Sequence, residues 1–161
     1  MSLLGKDYFN ISAYQNSSLI DLPNYVSNNI YSGIQWQCIE YVRRWYIIVL
    51  NLTFPSIEHA IDLWTIDYVY HPITNKQYRF YSILNGSDVE PKLADVLIFK
   101  KSQHYKYGHV AIITRVTKDA IYLAEQNMSQ KKWSRPFSRK IKRRVDIIMD
   151  PLVLGWKTIG Y

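Results

Sequence analysis

One stretch decides how the chain is read: Gly33-Ile34-Gln35-Trp36-Gln37-Cys38-Ile39-Glu40-Tyr41-Val42-Arg43-Arg44-Trp45. A run of small and polar residues ends there and an apolar helix begins. Over 37–51, Ile39, Val42, Tyr46 and Val49 recur at three- and four-residue spacing, which predicts a helix with one buried stripe. Cys38 is the only cysteine, and it stands at the start of that helix. The positive end of a helix dipole favours the thiolate, the nucleophilic form of the side chain. The stretch therefore poses one question: does Cys38 pack, or does it react?

Outward from this helix the pattern changes twice. Residues 1–32 are polar and weakly periodic, which predicts loop and short turns. Pro55-Ser56 offers a second helix start, with Ser56 as N-cap and Ile57, Ala60, Ile61 and Trp64 as its apolar face. Beyond Pro72 the signals become those of strands. Asn85-Gly86 marks a turn, and β-type runs follow at 95–100, 109–117 and 120–125, with further strands over 139–149 and near Trp156. Helices first and antiparallel strands after predict an α+β domain. No repeat, low-complexity tract or linker divides the sequence, so the expectation is a single domain over 1–161.

Composition narrows the setting. Hydrophobic residues make up 48% of the chain, which argues for a packed core. A single cysteine excludes an internal disulfide and fits a reducing compartment. The N-terminal apolar stretch is too short for a signal peptide, and the longest apolar run, 45–50, is far short of a membrane span. The expectation is a cytoplasmic protein without a membrane partner. Much of the net charge of +7 comes from 131–144, which holds eight cations (Lys131, Lys132, Arg135, Arg139, Lys140, Lys142, Arg143 and Arg144) and no acid. This segment suits an anionic partner such as nucleic acid, or equally a solvated strand with snorkelling side chains. No nucleic-acid motif accompanies it, so the solvated reading is preferred. No metal-ligand spacing occurs, and neither a metal nor a cofactor is expected.

Acyl transfer by a thiol needs an imidazole base and a group to orient that imidazole. Of the four histidines, His59 falls in the second helix, His71 precedes Pro72 and His104 lies in a charged stretch. His109 differs. It follows Gly108, which permits close approach of another backbone or a substrate, and it opens the apolar run Val110-Ala111-Ile112-Ile113. The next run ends Ala124-Glu125-Gln126-Asn127. Strand periodicity puts Glu125 and Asn127 on one face, and hairpin pairing brings the end of this run beside His109. Glu125 then accepts from the imidazole. The backbone N–H of Cys38 is one donor for an oxyanion, and the Gln37 side chain or amide is a second candidate.

Gln35-Trp36-Gln37-Cys38-Ile39-Glu40-Tyr41-Val42-Arg43-Arg44 resembles the nucleophile motif of the CHAP family of cysteine amidohydrolases and peptidases. Within that family it is most similar to the amidase domains of the glutathionylspermidine synthetase/amidase and trypanothione synthetase group. Asn85-Gly86-Ser87, Leu97-Ile98-Phe99, Gly108-His109-Val110-Ala111-Ile112-Ile113-Thr114, Ala124-Glu125-Gln126-Asn127 and Leu154-Gly155-Trp156 match in the same order.

The resemblance implies a papain-like fold of the CHAP and NlpC/P60 type. N-terminal helices carry Cys38, and a C-terminal antiparallel sheet carries His109 and Glu125. It implies Cys38 as nucleophile, His109 as base, Glu125 as orienting carboxylate and Asn127 as an added amide. Arg43 either meets substrate carboxylates or stabilises the fold. The implied reaction is hydrolysis of a small-molecule amide, foremost glutathionylspermidine, by an amidase domain without a ligase domain. Cleavage of cell-wall peptides by the same machinery is the alternative. A non-catalytic anion-binding or nucleic-acid-binding protein is a further one.

Overall fold

The computed structural model describes residues 1–17 and 19–160. Helix α1 (Cys38–Trp45) begins where the Gln37 backbone is still extended, at φ −78° and ψ 165°. Glu40 in its first turn and Arg43 and Arg44 in its last complement the helix dipole. Every residue of α1 is buried, so the helix is enclosed all round rather than along one stripe. A wider π turn, Tyr46–Leu50, continues it and closes at Asn51 with φ 56°, the left-handed conformation that asparagine tolerates.

The second helix is shorter than its sequence suggests. It is a 3-10 turn, Ala60–Thr65, and its cap is His59 rather than Ser56. The His59 N–H donates to Asp62 Oδ2 at 2.9 Å, which satisfies an N-terminal donor locally.

The first 32 residues are not loop. They form two hairpins, β1 (Leu3–Lys6) with β2 (Ser12–Tyr14), and β3 (Pro23–Val26) with β4 (Ile30–Ile34). Such short strands carry almost no periodic signal, and buried polar side chains fix them instead. The Asp7 carboxylate accepts from Phe9 N, Ile11 N, Tyr41 Oη and Trp45 Nε1 at 2.8–3.0 Å, tying the first hairpin to α1.

The remaining strands are β5 (Tyr68–Tyr70), β6 (Gln77–Leu84), β7 (Val96–Phe99), β8 (His109–Val116), β9 (Ala120–Ala124), β10 (Arg139–Arg144), β11 (Ile147–Ile148) and β12 (Val153–Gly160). They form one antiparallel sheet in the order β11-β10-β9-β8-β7-β12-β6-β5. The fold is α+β, with few helices and a large antiparallel sheet. Core lies on both faces. Val96, Ile98, Val110 and Ile112 pack into the layer that holds α1, while Leu97, Phe99, Ala111 and Ile113 pack into a second layer with Trp156. Burial on both faces is why β7 and β8 read as continuous apolar runs. Among the described residues, no helix is long and apolar enough to cross a membrane.

Candidate active site

The N-terminus of α1 packs against β8, so Cys38 and His109 meet where helix and strand both begin. Two contacts prepare that meeting. Gly108 has φ +77°, and a Cβ there would lie 2.9 Å from the Ile61 Cβ and 3.0 Å from the Phe99 carbonyl oxygen. The close approach that the glycine permits is thus to the 3-10 turn and to β7. The Ile61 N–H also donates to the Tyr107 carbonyl at 3.1 Å, clamping the entry to β8.

His109 is buried, and its Nε2 lies 2.8 Å from Glu125 Oε1. That leaves Nδ1 for the thiol. The ring stacks on Tyr105 at 4.9 Å between centroids and 9° between planes, which fixes its orientation. Burial pushes the imidazole pKa down, but hydrogen bonds and charge from Cys38 and Glu125 outweigh it and raise the value from 6.5 to about 9. Cys38 is 9% exposed. Burial pushes the thiol up; the His109 hydrogen bond and charge, with backbone N–H groups of Val110 and Ile39, outweigh that and leave it below its ordinary value. The arrangement favours a thiolate–imidazolium pair.

Glu125 is held from behind. Arg139 donates from Nε to Oε2 at 2.9 Å and from Nη2 to Oε1 at 3.0 Å, and Ser138 Oγ donates to Oε2. Burial pushes the carboxyl up, but His109 and Arg139 hold it at about 2. Arg139 in turn donates to Tyr105 Oη at 2.9 Å, closing a ring of contacts around the imidazole.

The other expected site residues divide. Gln37 is half-buried, and its side chain makes no cap hydrogen bond. Its amide donates to the Ile34 carbonyl at 3.0 Å, so only the side chain remains as an oxyanion donor. Asn127 lies beyond the end of β9, exposed and left-handed at φ 57°, which breaks the strand period that would have put it beside Glu125. It is outside the hydrogen-bond set that joins His109, Glu125 and Arg139. Arg43 is buried, donates to the carbonyls of Ser32, Phe54 and Pro55, and lies over the Phe54 ring at 4.4 Å. These contacts hold the last turn of α1 to β4 and to the segment at Phe54-Pro55, and Arg43 also lines a pocket with Tyr31 and Tyr70. His59, His71 and His104 stand apart from the thiol. His59 caps the 3-10 turn, His71 Nδ1 accepts from Ile73 N and Thr74 N at 3.1 Å, and His104 meets the edge of Tyr105.

Sequence reasoning missed four residues. Gln126 is fully buried. It donates from Nε2 to the Gln37 carbonyl and Glu40 Oε1, both at 3.0 Å, while its Oε1 accepts from Arg44 and Tyr14 N. It bolts the end of β9 to the start of α1. Arg139 and Ser138 escaped because the basic run masks them, and Tyr105 because it lies in the charged stretch 100–106 between β7 and β8. The one available signal was Ile141, which makes 139–144 alternate half-buried with exposed.

A CHAP domain family model matches residues 29–127, more than half of the chain. The chain belongs to the CHAP domain family. The match begins just before β4 and ends just after Glu125, so it contains Cys38, His109 and Glu125 but not Arg139. Trypanothione synthetase of Crithidia fasciculata is 29% identical over 149 residues, covering 84% of this chain and 23% of the relative. Glutathionylspermidine synthase of the same organism is 29% identical over 147 residues, 79% of this chain and 19% of the relative. Bifunctional glutathionylspermidine synthetase/amidase of Escherichia coli (strain K12) is 23% identical over 167 residues, 97% of this chain and 27% of the relative. This CHAP chain thus spans about a quarter or less of the length of these curated relatives.

Proposed function

We propose that this CHAP domain is a cysteine amidase with a papain-like arrangement, in which Cys38 is the nucleophile, His109 the base and Glu125 the orienting carboxylate. The observation that carries the reading is the buried relay of Cys38, His109 and Glu125, with the thiol drawn down and the imidazole drawn up. The Cys38 thiolate attacks the amide carbonyl and an S–C bond forms. The tetrahedral oxyanion sits against the backbone N–H of Cys38 at the start of α1, with the Gln37 side chain as a second donor. As the C–N bond breaks, His109 gives its proton to the departing amine and a thioester remains. Water then attacks the thioester, passes a proton to His109, and the S–C bond breaks to release the acid and the thiolate.

For the substrate we infer glutathionylspermidine or a close amide, cut to glutathione and spermidine. The relatives that include a glutathionylspermidine synthetase/amidase support this, as does their alignment over nearly the whole of this chain. Under this reading residues 1–161 act as one amidase domain. Purified protein is expected to release glutathione and spermidine from glutathionylspermidine, and Cys38→Ala to abolish the release. The cationic surface favours a second reading, cleavage of anionic cell-wall peptides, so peptidoglycan fragments belong in the same assay. Wild-type protein inert towards both substrates, with a thiol that resists alkylation at neutral pH, would sink the amidase reading.

A further inference from the structure

Beside the Ser138 edge of Glu125 the loop between β9 and β10 encloses a cavity of about 510 Å³. Cys38 and His109 are not among its walls; of the proposed relay only Glu125 reaches it. The volume falls in the range of about 300–1,000 Å³ typical of small-molecule sites. Three cations, Lys131, Lys132 and Arg135, line it and are exposed. None of the three makes a salt bridge among the described residues. Glu125 is the one acid in the wall, and its charge is already met by Arg139 and His109. The cavity therefore keeps a positive field that its own floor does not cancel.

The walls are also built rather than loose. The Trp133 N–H donates to the Leu4 carbonyl at 2.9 Å, and its ring packs so tightly on Gly5 that a Cβ there would come within 2.6 Å. Phe137 stands edge-on to Tyr122 at 5.0 Å and stacks on Tyr8 at 6.3 Å. Two anchored aromatic rings beside three unpaired cations form a concave site for charge with an apolar or flat body attached.

We propose that this cavity binds a small organic anion of two or more negative charges, a carboxylate- or phosphate-bearing metabolite. Lys131, Lys132 and Arg135 hold the charge, and Trp133 and Phe137 hold the body. The field that sequence assigned to a solvated face is, on this view, partly the lining of a ligand site.

The test is calorimetric titration of the full chain at low salt with citrate, inorganic phosphate and AMP. Saturable one-to-one binding of at least one probe is expected. A Lys132→Ala/Arg135→Ala double variant is expected to weaken it by about tenfold or more, the scale of losing one or two charge-assisted hydrogen bonds. A Lys140→Ala/Lys142→Ala double variant removes the same charge from the exposed positions of β10 and is expected to change affinity less than about twofold. A preference for citrate or for the phosphates upholds the site and names the headgroup. Absence of saturable binding for all three probes, or equal loss in both double variants, would overturn the proposal. The alkylation rate of Cys38, unchanged in both variants, verifies that they are folded.

Discussion

At the residue scale, the thiol depends on its imidazole. Burial alone drives a cysteine towards the neutral thiol, and His109 is what reverses this at Cys38. In His109→Ala the thiol therefore rises, and alkylation by iodoacetamide at neutral pH slows sharply; the pH profile of the alkylation rate reads the shift directly. For the amidase reaction, kcat/KM is bell-shaped. Its alkaline limb follows loss of the imidazolium near 9, and its acid limb follows protonation of the lowered thiolate, both belonging to the coupled pair. A profile flat from acid to alkali contradicts the ion pair. Glu125 sets acid stability. Its folded value of about 2 lies below its ordinary 4.5, so its contribution is complete above 4.5 and is lost as pH falls through 2. The size is about 3 kcal/mol by linkage. Glu125→Gln is expected to flatten the decline in urea midpoint between these pH values. Arg139 holds this carboxylate, so Arg139→Ala is expected to cost about 2–3 kcal/mol, less than a fully enclosed pair because the Arg139 side chain is 24% exposed. Its effect on kcat is about tenfold to a hundredfold, as for other supporting partners, with partial rescue by Arg139→Lys.

At the scale of elements, the site exists because four chain segments lock at one point. The 3-10 turn closes on Gly108, Gln126 follows β9 and bonds the Gln37 carbonyl, and both fix where β8 and α1 begin. Gly108→Ala forces a Cβ into Ile61 and Phe99 and strains a backbone at φ +77°. A loss of about 1–3 kcal/mol is expected, with a fall in activity larger than that of an equally destabilising change elsewhere. Melting temperature and kcat, measured together, separate the two effects. This geometry also explains what was legible in sequence. Cys38 and His109 were visible because a helix start and a strand start carry local signals, in apolar spacing and in the preceding glycine. The strands β7, β8 and β9 were visible because burial on both faces writes an unbroken apolar run. The two N-terminal hairpins were not, since Asp7 holds the first through contacts 34 and 38 residues away, and Asn24 and Ser32 tie the second to Glu40 of α1. The second helix was foreseen, but not its start or its 3-10 form, since its cap at His59 mimics no ordinary cap residue. Asn127 is exposed and left-handed for a related reason. Period-two reasoning does not extend to Asn127, three residues past the end of β9, where Glu125 and Gln126 are both buried and Asn127 is exposed.

At the scale of the molecule, buried charge and surface charge play separate parts. The cations inside are consumed by the fold. Arg44 pairs with Glu40 at 3.0 Å, and Lys157 donates to the carbonyls of Trp64, Ile66 and Phe80 and to Ser82 Oγ, tying the 3-10 turn to β6. What remains outside contributes to a net +7 that acts at a distance. A spermidine amide is itself cationic, so its approach to this surface is opposed by long-range repulsion. Salt relieves that repulsion, because the screening length falls from about 30 Å at 0.01 M to about 8 Å at 0.15 M. If glutathionylspermidine is the substrate, kcat/KM therefore rises with added salt over this range. The same acyl group on an uncharged amine shows little change, and an anionic wall peptide shows the opposite slope. Three substrates measured at two ionic strengths give three signs. A fall in kcat/KM with salt for the spermidine amide would mean that local acids at the mouth of the site, rather than the molecule's net charge, govern its approach.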